Sequence, residues 1–134
     1  MSAKIESHKD LLVWQQAMDL AVGIYVVTRA WPKEELYGLT SQARRAASSV
    51  PANIAEGYGR ETRPAYDHFL RIAQGSLKEL ETHLLIAQRA GVAPGRELDS
   101  LLAATESVGK LLRSVTQARK RMTTYSLFPY SPES

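Results

Sequence analysis

Residues 63–90, RPAYDHFLRIAQGSLKELETHLLIAQRA, carry the periodicity that decides the fold. Tyr66, Leu70, Ala73, Leu77, Leu80, Leu84 and Ala87 recur in alternating steps of four and three. Such spacing returns to one face of an α-helix and makes a heptad seam. A second seam runs beside it through His68, Ile72, Gly75, Glu79, Thr82 and Ile86. The first seam is apolar and predicts a core face. The second is half polar and contains a glycine, which suits close packing against another helix. Thr62 is placed to cap this helix, with Arg63 and Pro64 in the first turn, where proline costs little. Gly91 ends it and Pro94 opens the next.

The same reading extends in both directions. Ahead of the seam, a helix is expected from about Glu34 to Gly57, with Leu36, Leu39, Ala43, Ala46, Val50 and Ile54 facing inward. Before that, a helix is expected from about Lys9 to Ala30, opened by a Ser7–Asp10 capping box and stopped by Pro32. Behind the seam, a fourth helix is expected over about 95–121, with Leu98, Leu101, Thr105, Val108, Leu112, Val115, Arg119 and Met122 in register. Residues 122–134 are expected to form a tail, because the segment is short and broken by proline. No strand pattern or internal repeat competes. The fold class is therefore all-α: a single domain, an antiparallel up-down-up-down four-helix bundle.

The first helix is too apolar for one core. Val13, Ala17, Leu20, Ala21, Ile24 and Val27 share one side, and Trp14, Met18, Val22 and Tyr25 continue the surface. At 100° per residue the apolar arc spans about 200°, against the roughly 100° stripe that one core requires. The excess predicts a second buried face, and so a homo-oligomer.

Composition narrows the function. The 134 residues include no cysteine, which excludes disulfides, thiolate metal sites and a cysteine nucleophile. The start is polar, and the apolar run 20–27 is far below the roughly 20 residues of a spanning helix. A soluble, cytoplasmic protein without membrane contact is expected. Net charge is +3, with a pI near 9.3. Residues 110–121, KLLRSVTQARKR, hold five basic and no acidic residues. Arg44, Arg45, Arg60 and Arg63 form a looser second group. Arg44, Arg45, Arg60, Arg63, Arg113, Arg119, Lys120 and Arg121 are thus candidate phosphate contacts for RNA or DNA. The alternative for 110–121 is a helix end that complements its own dipole.

Catalytic patterns are weak. His68 and His83 lie fifteen residues apart on one helix, about 22 Å by helical rise, so they cannot share a metal. Glu79 and His83 occur once at spacing four, short of a di-iron set. GYGR follows no strand and has the wrong glycine spacing for a phosphate loop. Glu79 and Glu81 point about 200° apart on their helix. No enzyme activity, cofactor or metal is expected.

The stretch SSVPANIAEGYGRET (48–62) sets a proline, an asparagine and a glutamate inside a helical pattern. Pro51 removes one backbone donor and frees the carbonyl of Ala47. Asn53 falls at the edge of the apolar face and needs hydrogen bonds; Glu56 falls near the same edge. Groups in such places either meet a ligand or fix how helices pair, although a capped helix end with Glu56 solvated also explains the glycines.

The runs LLVWQQAMDLAVGIY (11–25), LTSQARRAASSVPANIAEGYGR (39–60) and FLRIAQGSLKELETHL (69–84) resemble the four-helix-bundle proteins of 23S rRNA intervening sequences, whose broad group includes the accessory proteins of diversity-generating retroelements. The similarity covers about residues 8–118, and NIAEG and GSLKELE are its specific parts. The resemblance implies a homopentameric ring without enzyme activity; for the retroelement relatives it implies binding to nucleic acid and to a reverse transcriptase. The matching positions are Asn53, Glu56, Gly57, Gly75, Ser76, Glu79 and Glu81, read as packing and subunit-pairing residues. Two functions follow as expectations: an oligomeric nucleic-acid-binding accessory, or an oligomeric adaptor for a protein partner.

Overall fold

The computed structural model describes residues 4–126, with side chains described from 4 to 118. Among the described residues there are four α-helices and no strand: α1 Leu12–Thr28, α2 Leu39–Tyr58, α3 Arg63–Arg89 and α4 Gly95–Ser126. Two 3-10 turns, His8–Asp10 and Lys33–Glu35, precede α1 and α2.

The termini follow local chemistry, with three departures from expectation. The Ser7–Asp10 capping box forms: Asp10 Oδ2 accepts from the Glu6 and Ser7 amides at 2.8 and 3.1 Å. It caps the first 3-10 turn, however, and Leu11 is extended (φ −79°, ψ 126°), so α1 begins at Leu12. Residues 33–38 are likewise not part of α2. Gly38 (φ −115°, ψ −109°) breaks the helical register, and Leu36 is consequently exposed rather than in the core. The fourth helix runs past residue 121 to Ser126, because no proline interrupts the sequence before Pro129.

Thr62 caps α3 as expected, its side chain accepting from Ala65 N at 3.3 Å, with proline in the first turn. The far end closes through Gly91, whose φ of 71° is available to glycine without a Cβ clash. Val92 N donates to Ala87 O at 2.9 Å and Gly91 N to Gln88 O at 3.3 Å, the paired bonds of a Schellman motif. α2 continues without interruption through Pro51, which is buried.

α1 packs on α2 and α4, and α3 packs on α2 and α4, while the diagonal pairs bring no Cα atoms within 8 Å of each other among the described residues. The most extensive pairing is α2 with α3. The apolar seam of α3 lies inside: Leu70, Ala73, Leu77, Leu80, Leu84 and Ala87 are all buried. They meet Ala43, Ala46, Val50 and Ile54 of α2, Val13, Ala17, Leu20 and Ile24 of α1, and Leu98, Val108 and Leu112 of α4 in one core. Each fully buried Leu or Ile contributes about 1.5–3 kcal/mol relative to exposure. Trp31, between α1 and α2, also belongs to this core. Its position ahead of Pro32, outside the periodic segments, hid it from a pattern-based reading.

Candidate functional site

The residues of the NIAEG and GSLKELE runs divide into an interior group and a surface group. Asn53 Nδ2 donates to Ser49 O at 2.8 Å and to Ser49 Oγ at 2.9 Å. Ser49 Oγ in turn lies 2.8 Å from Ser76 Oγ, so a polar chain crosses from α2 to α3. This satisfies the half-buried amide within the chain. Gly57 lies tightly against α3: a Cβ there would stand 2.9 Å from Phe69 Cβ and 3.2 Å from Tyr66 Cδ1. Only a residue without a side chain permits that approach.

The other four positions face outward. Glu56 is exposed and ion-paired with Arg60 one turn on, so it is not held at a half-buried edge. Gly75 is exposed with nothing within 4 Å of a would-be Cβ. Glu81 lies 3.6 Å from Lys78 Nζ, and Glu79 Oε2 lies 3.7 Å from His83 Nε2. His83 itself is 9% exposed and neither ring nitrogen has a hydrogen-bond partner among the described residues. It is thus a buried residue of α3 whose Nε2 edge faces the exposed Glu79 carboxylate.

The wide apolar arc of α1 separates into two faces. Val13, Ala17, Leu20, Ala21 and Ile24 enter the core. Met18, Val22, Tyr25 and Val26 are exposed, Val22 at 56% and Val26 at 51%. With Trp14, Ala21, Pro51, Ala52 and Ala55 they line an open groove of about 390 Å³ between α1 and α2. Burial of Pro51 thereby acquires a purpose that the linear pattern did not reveal: its ring helps form the groove wall. On α3, Ile72 and Ile86 of the second seam are also exposed.

The basic residues do not form one patch. Arg44 and Arg45 sit near the start of α2, and Arg60 follows its end sixteen positions beyond Arg44, about 24 Å by helical rise. Arg44 Nε donates to Thr28 Oγ1 at 2.9 Å, and its guanidinium lies 4.9 Å above the Tyr25 ring. Arg45 is exposed without an ion pair among the described residues. Arg60 is engaged twice, with Glu56 and over the Phe69 ring at 4.8 Å, which leaves it less suited to a phosphate. Arg63 is half-buried and has partners of its own. Arg113 lies in a mixed-charge cleft with Lys78, Glu81, Glu106 and Lys110. The side chains of Arg119, Lys120 and Arg121, and Met122 with the rest of the expected tail, lie outside the described side chains.

Among the described residues no three His, Asp or Glu side chains gather where a metal could bind, and no helix is long and apolar enough to cross a membrane. The fold and its surfaces define a class: an all-α, four-helix protein whose developed surface features are an apolar groove and an arginine–tyrosine cluster. The family model of the 23S rRNA-intervening sequence protein matches residues 9–114, and the chain belongs to that family. No curated protein matches the sequence. A solved crystal structure from Bacteroides thetaiotaomicron VPI-5482, of a protein of unknown function from the S23 ribosomal protein family, is similar at 22% identity and a TM-score of 0.71, over 78% of this chain and 97% of that one. At this identity the likeness shows the fold alone.

Proposed function

We propose that this chain is a non-catalytic, nucleic-acid-binding subunit that works as a ring-like homo-oligomer of up-down-up-down bundles. The side-by-side order of the helices, α1 and α3 each next to α2 and α4, supports the topology. The count of five rests on the family resemblance. The observation that carries the reading is the α1–α2 face. There an uncovered apolar groove adjoins Arg29, Arg44 and Arg45, and no carboxylate lines either depression. Apolar surface of this extent is suited to cover by another copy. The arginines at its edge would then repeat around a ring and sum into a polyanion surface that one subunit of charge +3 lacks.

The test combines light scattering with nucleic-acid titration. A mass several times 14.9 kDa is expected. Affinity should fall steeply with salt, each phosphate contact contributing about 0.9 to the log–log slope. A flat salt dependence, or no binding at low salt, overturns the nucleic-acid role. The second reading is an oligomeric adaptor for a protein such as a reverse transcriptase. It is favoured by the groove itself, whose lining is apolar apart from Arg29 and Ser48 at its edge. On that reading Arg44→Glu with Arg45→Glu leaves function intact, whereas Val22→Asp abolishes it.

A further inference from the structure

We infer that the arginine–tyrosine cluster at the start of α2 is a site for single-stranded nucleic acid, with Tyr37 as the platform on which a base stacks. The inference rests on the nucleic-acid reading above and adds the form of the ligand and the residue that selects it. Tyr37 is 93% exposed, and it has no hydrogen bond or ring contact among the described residues. A tyrosine held for structural reasons buries most of its ring and finds a partner for its hydroxyl. This one does neither.

Its neighbours complete the site. Ser41, Arg44, Arg45 and Ser48 follow at helical spacing on one face of α2, and with Tyr25 and Tyr37 they line a depression of about 520 Å³. Arg44 is pre-organised: its Nε is committed to Thr28 Oγ1, and its guanidinium carbon is held 4.9 Å over the Tyr25 ring. The four remaining N–H groups of Arg44 have no partner among the described residues and are free to meet phosphate oxygens. Tyr37 stands two residues before α2 and lines the same depression as Arg44 and Arg45, which sets a stacking surface and two cations around one hollow.

Charge alone would not make this a duplex site. Glu34 and Glu35 lie on the preceding 3-10 turn, with the Glu35 carboxylate beside Gly38, and they offset part of the arginine charge. Duplex binding depends on many phosphate contacts. Stacking needs unpaired bases, tolerates every sequence, and is available to one exposed ring.

The test measures fluorescence anisotropy of a labelled oligouridylate, the matching oligothymidylate and a duplex of equal length at low salt. Single strands should bind more tightly than the duplex. Tyr37→Ala should weaken single-strand binding roughly five- to a hundredfold while leaving the duplex unaffected, and Tyr37→Phe should retain it. Arg45→Glu should weaken both ligands and lower the salt slope by about one. Wild-type binding that Tyr37→Ala does not change overturns this inference and leaves the nucleic-acid reading standing. No binding of any oligonucleotide overturns both. A change in molar mass on Tyr37→Ala assigns the ring to subunit contact and overturns the inference as well.

Discussion

The hydroxyl of Ser49 on α2 lies 2.8 Å from that of Ser76 on α3, and the Asn53 amide donates to the same Ser49 oxygen at 2.9 Å. This polar chain joins the two helices that pack most extensively. Ser76→Ala removes the crossing bond and should cost about 1 kcal/mol in urea unfolding. Ser48→Ala, whose hydroxyl bonds only to carbonyls of its own helix, should stay within about 0.5 kcal/mol of wild type. The double variant of Ser49 and Ser76 should cost less than the sum of the singles, since both break one bond.

Two glycines in helices should respond oppositely to alanine. At Gly57 a Cβ meets Phe69 Cβ at 2.9 Å, so the helices must part; a net loss of about 1–3 kcal/mol is expected despite the better helix propensity. At Gly75 nothing lies within 4 Å, and alanine should stabilise the subunit by about 0.5–1 kcal/mol. Thermal unfolding at low protein concentration reads both. Should Gly75→Ala lower the assembled mass instead, the second seam of α3 lies against another copy.

His83 is buried and neither ring nitrogen makes a hydrogen bond among the described residues, although Glu79 Oε2 lies 3.7 Å from Nε2. Removing a polar group that makes no hydrogen bond relieves its desolvation cost, so His83→Leu should be neutral or stabilise by about 1 kcal/mol. A loss larger than about 1 kcal/mol in denaturant unfolding would mean that the Glu79 carboxylate, 3.7 Å from Nε2, holds the imidazole more strongly than burial penalises it.

Val22 stands at 56% exposure in the α1–α2 groove. Val22→Asp should therefore preserve helicity by circular dichroism yet reduce the mass found by light scattering, because a carboxylate cannot be covered by an apolar partner surface without loss of its hydration. Retention of the wild-type mass would remove this groove from the assembly interface.

Much of the site was legible without the fold. Seven evenly spaced positions located the inner face of α3, and the over-wide arc of α1 marked the residues that now line the groove. Even the separation of Arg44 from Arg60 follows from helical rise, once their sixteen-residue spacing is converted to length. Tyr37 was not legible. A lone aromatic in a connecting segment carries no period, and only its 93% exposure distinguishes it from the buried Trp31 six residues earlier.

The amino-acid order by itself determined the four helices, the cap at Thr62, the turn at Gly91 and the family, because these depend on residues within a few positions of one another. Tertiary structure alone decided that His83 is buried. It also decided that Gly57 packs against Phe69 with no room for a Cβ, and that Pro51 shares a groove with Val22. Those outcomes depend on what stands across the gap between helices, and residues remote in the chain meet only when their axes are set side by side.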